Sequence, residues 1–116
     1  MAESDSDSIL ILWTSGDREV ALNMVLMYAL NSRLKDWWEN VTLLVWGHSS
    51  KLLAEDPELQ QMVEEIRLAG ARTIACQKCA ENYEIVDRLN ELNLEVFYVG
   101  EFLTEWIKSG KPILTL

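Results

Sequence analysis

Two cysteines stand three positions apart in the run Cys76-Gln77-Lys78-Cys79. The residues ahead of them, Ala71 to Cys76, read as a short buried strand, so the pair falls where a strand hands over to a helix. Cys76 then lies near an N-cap and Cys79 within the first turn, and both thiols face a positive helix end beside Lys78. Such surroundings lower a thiol pKa and raise its thiolate fraction at neutral pH. Disulfide exchange and persulfide transfer both begin from a thiolate. The plainer alternative is that the two are small apolar residues buried at a strand end.

Other chemistries fit the residues less well. A tetrahedral zinc site takes four ligands, and one chain offers two cysteines and the single histidine, His48, so no metal is expected. A thioredoxin-type motif follows an early strand, whereas Cys76 follows the third. A rhodanese or cysteine phosphatase closes its loop with an arginine five or six residues after the nucleophile, where this chain has Glu81 and Asn82. The loop Thr14-Ser15-Gly16-Asp17 holds one glycine and an acid that would repel phosphate, and neither GxGxxG nor GxxxxGK[ST] occurs. No organic cofactor is expected. Thr14, Ser15 and Gly16 form either a tight turn with an N-cap or part of the lining of the cysteine pocket. His48 is either a solvated loop residue or a group that tunes a thiolate. Trp13 and Trp46 end the first two strands, as core or as an apolar wall beside the sulfurs.

The elements that must position these residues are punctuated by five glycines, Gly16, Gly47, Gly70, Gly100 and Gly110, each lying between apolar runs. Ser8 to Trp13, Val41 to Trp46, Ala71 to Cys76 and Leu94 to Val99 read as strands buried on both faces, as in a parallel sheet. Pro112 to Leu116 gives a shorter fifth strand, with proline at its first residue. Between them, Asp17 to Leu34, Pro57 to Ala69, Glu81 to Leu92 and Glu101 to Lys108 read as crossover helices. Asp56 is the expected N-cap of the second helix, Pro57 its first residue and Gly70 its stop. The order β-α-β-α-β-α-β-α-β implies a parallel sheet with helices on both faces, and ligands gather at the carboxyl ends of such strands. That edge carries Thr14, Ser15, Gly16, His48, Cys76, Lys78 and Cys79.

The 116 residues suit one domain, with residues 1–7 as a disordered acidic tail and 8–116 folded. Hydrophobic residues at 49% and charged residues at 25% are ordinary for a globular chain. The net charge of −9 and the lack of Lys and Arg clusters argue against nucleic acid and anionic membrane as partners. No apolar run reaches the roughly 20 residues of a membrane-spanning helix, and the acidic N-terminus is unlike a secretory signal. Two cysteines are too few for a disulfide framework, so a cytoplasmic setting is expected. From Ala21 to Leu30 only Asn23 is polar, more apolar surface than one sheet-facing stripe needs. Another copy of the chain is the expected cover, extended by Trp37-Trp38.

These residues in this order resemble the DsrE/DsrF/TusD-like sulfur-relay family over Ile9 to Leu116. The parts are the first strand with Thr14-Ser15-Gly16, an alanine-bearing apolar helix, a turn at Gly70 into the third strand, and a cysteine closing that strand. The ending Val99-Gly100-Glu101-Phe102-Leu103-Thr104-Glu105 with Lys108-Ser109-Gly110-Lys111 is similar to small single-domain members. The resemblance implies a three-layer α/β/α sandwich, DsrEFH-like and Rossmann-like, with a five-stranded, mainly parallel sheet, assembled as a trimer or hexamer. It also implies a sulfurtransferase-like carrier that passes sulfane sulfur between donor and acceptor proteins as a persulfide on Cys76. Cys79 lies outside the pattern general to those proteins, and its expected part is to assist transfer or release sulfur by internal disulfide formation. A thiol redox switch and a non-catalytic oligomeric binding module are the alternatives.

Overall fold

The structure, a computed structural model, describes residues 7–116. The expected tail falls outside the described residues except for Asp7. Asp7 accepts hydrogen bonds from the backbone N–H of Glu39 through its carboxylate and of Asn40 through its carbonyl, at 2.8 and 3.1 Å.

Five strands, β1 (Ser8–Trp13), β2 (Asn40–Val45), β3 (Arg72–Cys76), β4 (Glu95–Phe97) and β5 (Ile113–Thr115), form one sheet in the order β4-β3-β2-β1-β5. Every neighbouring pair is parallel. All six residues of β1 are buried, because this strand is hydrogen-bonded on both edges and covered on both faces.

Alternation along the strands divides the core in two. On one face Ile9, Ile11 and Trp13 of β1, Val41, Leu43 and Val45 of β2, and Ala75 of β3 are buried together. Their cover comes from a π-helical turn (Ala21–Val25) and five α-helices, α2 (Leu26–Leu34), α3 (His48–Glu55), α4 (Pro57–Leu68), α5 (Gln77–Asn82) and α6 (Val86–Glu91), α1 (Arg18–Val20) leading into the π turn. On the other face Leu10, Leu12, Leu44, Ile74 and Cys76 pack beneath Phe102, Leu103 and Trp106 of α7 (Gly100–Ser109). The fold is therefore a three-layer α/β/α sandwich with an all-parallel sheet.

The helices differ from the sequence pattern in three places. The segment expected as one helix from Asp17 contains the π turn, in which the Leu26 N–H donates to the Ala21 carbonyl. The wider turn re-phases the apolar run, leaving Met24 and Met27 46% and 50% exposed while Ala21, Val25 and Leu26 are buried. Helix α3 occupies what the sequence leaves as a loop after β2. The expected helix Glu81 to Leu92 is instead two, α5 starting earlier at Gln77 and α6 at Val86. Glu84 adopts φ +58°, and the Ile85 N–H closes back on the Ala80 carbonyl at 2.9 Å, which ends α5. Helix α4 is as expected, with the Asp56 carboxylate accepting from the Glu58 and Leu59 N–H groups.

Candidate functional site

Cys76 ends β3 and is the N-cap of α5, so its side chain is fixed by both elements. Its sulfur accepts the Cys79 backbone N–H at 3.4 Å and is buried, the residue being only 5% exposed. Cys79, one helical turn on, is half-buried, and its sulfur accepts the Gly47 N–H at 3.3 Å. Both cysteines are free thiols. Two sulfurs three residues apart thus each receive one backbone N–H.

The electrostatics of Cys79 depart from the expected activation of both thiols. Burial pushes its thiol above the ordinary value, and the hydrogen bond to Cys76 and the charge of that sulfur push it further, against the Gly47 N–H, which pulls it down. Cys79 is the more accessible of the two.

The loop after β2 brings a second contact to this edge. Gly47 has φ +75° and ψ −137°, a conformation open to glycine, and its carbonyl accepts the Ser50 N–H as α3 begins. His48, the first residue of α3, is exposed, yet its ring lies so close over Gly16 that an added Cβ there would sit 2.4 Å from Nδ1. The imidazole also stacks on Tyr83, with centroids 6.5 Å apart and planes at 29°. His48 therefore links the β1 loop to the end of the helix that carries Cys79. Ser49 Oγ donates to the Trp13 carbonyl at 2.6 Å, fastening the start of α3 to the end of β1.

The remaining expected site residues make other bonds. The Thr14 N–H and hydroxyl and the Ser15 N–H all donate to the Leu116 carbonyl, and Ser15 Oγ accepts the Asp17 N–H. Lys78 is exposed, and its charge acts on Glu81, which also accepts hydrogen bonds from Tyr98 and Gln77. The Gly47 N–H and Tyr83 are the site groups that residue types did not reveal; only a glycine between a strand and a helix hinted at the first. A cavity of about 400 Å³ lined by Arg72, Phe102 and Trp106 lies at the start of β3, the edge opposite the cysteines. Among the described residues no cluster of three His, Cys, Asp or Glu side chains could hold a metal ion, and no helix is long and apolar enough to cross a membrane.

Fold and site together define an all-parallel α/β domain with a dithiol at the carboxyl edge of its sheet. The structure is similar to that of a conserved protein of unknown function, BT1422, from Bacteroides thetaiotaomicron, with 38% sequence identity, TM-score 0.96 and full coverage of both chains. The chain belongs to the same family as that protein. It shares its fold with the ychN protein from E. coli, at TM-score 0.73 and 20% identity over 95% of this chain and 99% of that one. No protein-family model and no curated protein matches the chain.

Proposed function

We propose that this protein is a thiol-based sulfur carrier, sulfurtransferase-like and of the DsrE/DsrF/TusD-like kind, that holds sulfane sulfur as a persulfide on Cys76 with Cys79 assisting. The observation that carries the reading is the pairing of the two sulfurs on one turn, Cys76 Sγ under the Cys79 N–H and Cys79 Sγ under the Gly47 N–H. Backbone donors that favour a thiolate also favour the anion of a persulfide. In loading, the Cys76 thiolate attacks the outer sulfur of a donor persulfide, the donor S–S bond breaks, and the donor leaves as thiolate. In delivery, an acceptor thiolate attacks the outer sulfur on Cys76 in the same way, restoring the Cys76 thiolate.

Donor and acceptor are proteins of a cytoplasmic relay in this reading, and the carrier is a homo-oligomer, a trimer or hexamer. Met24 and Met27 on the outer side of the π turn and α2, and Trp37 just beyond α2, are all near half exposed and support the assembly. The burial of Cys76 favours one alternative, a redox switch in which the pair closes to a disulfide and no sulfur is carried. Intact-mass measurement after incubation with a small-molecule persulfide separates the two. In Cys79→Ser, where the internal disulfide cannot form, a reductant-sensitive gain of one sulfur atom supports the carrier, and no gain supports the switch.

A further inference from the structure

We propose that Gly47 is a positioning residue for the dithiol: its N–H, held on the Cys79 sulfur by the contacts of the His48 ring with Gly16 and Tyr83, stabilises the negative charge that forms on Cys79 when it acts as nucleophile. The inference rests on the thiol reading above and adds a step to it.

Several contacts fix that N–H. The positive φ of Gly47 sets the turn between β2 and α3, and the Ser50 N–H on the Gly47 carbonyl and the Ser49 hydroxyl on the Trp13 carbonyl hold both sides of it. His48, next in sequence, lies against Gly16 and also stacks on Tyr83. Gly16 belongs to the β1 loop, and Tyr83 follows α5, the helix of Cys79. The clamp therefore holds the donor and the acceptor sulfur in register from two separate elements. The charged and titratable groups at this edge include Asp17 after β1, Cys76 from β3, His48 from α3, and Lys78 and Glu81 from α5, with Tyr83 after it, Tyr98 after β4 and Glu101 at the start of α7. Of these, Cys76 acts on Cys79 directly, and it opposes ionisation, leaving the Gly47 N–H as the neighbour from another element that favours it.

The step served is release of sulfide. Cys79 gives its proton to solvent, and its thiolate attacks the inner sulfur of the Cys76 persulfide. The bond between Cys76 Sγ and the outer sulfur breaks, hydrosulfide leaves with the electron pair, and a Cys76–Cys79 disulfide remains. The two cysteine sulfurs are oxidised as the sulfane sulfur is reduced, and an external dithiol reductant resets the pair.

The test isolates one thiol in the full chain. In Cys76→Ser, where serine still serves as N-cap, Cys79 alkylation is followed against pH by peptide mass in four further variants, His48→Ala, His48→Phe, Gly16→Ala and Gly47→Ala. His48→Ala, Gly16→Ala and Gly47→Ala should each raise the titration midpoint by about one pH unit, a tenfold loss of thiolate at fixed pH. His48→Phe, which keeps a stacked ring, should stay with the parent. Identical midpoints in His48→Ala and His48→Phe would overturn the anchor, and because His48 is exposed this pair decides even if a glycine variant fails to fold. Sulfur loading of Cys79→Ser, which lacks the titrating thiol, is independent of these midpoints. Loading without any shift removes the anchor alone, while a shift without loading keeps the anchor and removes the carrier reading.

Discussion

Cys79 donates its backbone N–H to the Cys76 sulfur at 3.4 Å, while its own sulfur is the more exposed of the two. The residue that covers Cys76 is thus the one a reagent meets first, and it is also the thiol that its surroundings hold protonated. Greater accessibility and a raised thiol pKa fall on the same cysteine.

Cys79 should therefore alkylate slowly at neutral pH, with a rate that is still climbing above the usual thiol midpoint of about 8.5. Cys76→Ser removes both contributions of that sulfur and leaves burial, so the Cys79 midpoint should fall. The same shift has a stability consequence. Below the unfolded value the thiol is protonated in both states, and as pH rises past it the unfolded chain loses the proton first, so folding weakens toward the raised folded value. Cys79→Ala should flatten this alkaline slope in denaturant titrations carried upward from about pH 8.5. A Cys79 midpoint unchanged by Cys76→Ser would contradict the coupling.

Asp56 offers a test of the scaffold. Its carboxylate caps α4 and also accepts the Arg18 Nε at 2.6 Å, tying the start of α1 to the start of α4, with Glu58 taking a second Arg18 nitrogen. The Arg18 guanidinium first, and the capped N–H groups after it, hold the Asp56 carboxyl below its ordinary range. A depressed carboxyl stabilises the fold above its unfolded value of about 3.9, and that contribution is lost as pH falls through the folded value. Asp56→Ala should cost about 1 kcal/mol at pH 7 through the lost cap, and Asp56→Asn less, since asparagine caps as well. Denaturation at pH 7 and pH 2.5 checks both, and the gap between wild type and Asp56→Asn should close at the lower pH.

The centre of the sheet was legible in the sequence because β1, β2 and β3, buried on both faces, leave nearly continuous apolar runs. The strand expected as buried from Leu94 to Val99 is instead the short edge strand β4, exposed at Glu95 and only half-buried at Val96 and Phe97. Ser8 to Trp13 matches β1 residue for residue, and Asp56, Pro57 and Gly70 mark α4 to within a residue. Helix α3 was not legible, since its eight residues give only Leu52, Leu53 and Ala54 as apolar and show no helical period. Ile85, Leu89 and Leu92 have helical spacing and suggest one helix, but spacing does not register the left-handed turn at Glu84 that divides it. Within the site, Cys76 and Cys79 stood out by type and spacing. The Gly47 N–H did not, because the direction of a backbone amide is set by tertiary contacts such as those of His48 with Gly16 and Tyr83.

The outer side of the π turn should mediate self-association. Met24, Met27 and Trp37 are 46%, 50% and 51% exposed, large apolar side chains on the π turn, α2 and the segment just after it that a second copy of the chain would cover. Met27→Glu should shift the protein toward monomer in sedimentation velocity at micromolar concentration without lowering its thermal midpoint, because the side chain contributes little to the core. A protein that is already monomeric before substitution would remove this expectation.

The division of labour between the cysteines gives the last test. Cys76, the N-cap whose sulfur holds the Cys79 N–H, is the proposed carrier, and Cys79 is the thiol that can attack it from one turn away. Cys76→Ser should abolish sulfur loading by a small-molecule persulfide. Cys79→Ser should still load, and its persulfide should persist longer in the absence of an added thiol, because the internal route to disulfide and hydrosulfide is closed. Sulfide release followed by a colorimetric assay, alongside intact mass, measures both stages. Since Cys79 is the more exposed sulfur, the opposite assignment has a definite signature: loading that survives Cys76→Ser and disappears in Cys79→Ser would place the carried sulfur on Cys79 and make buried Cys76 the resolving thiol.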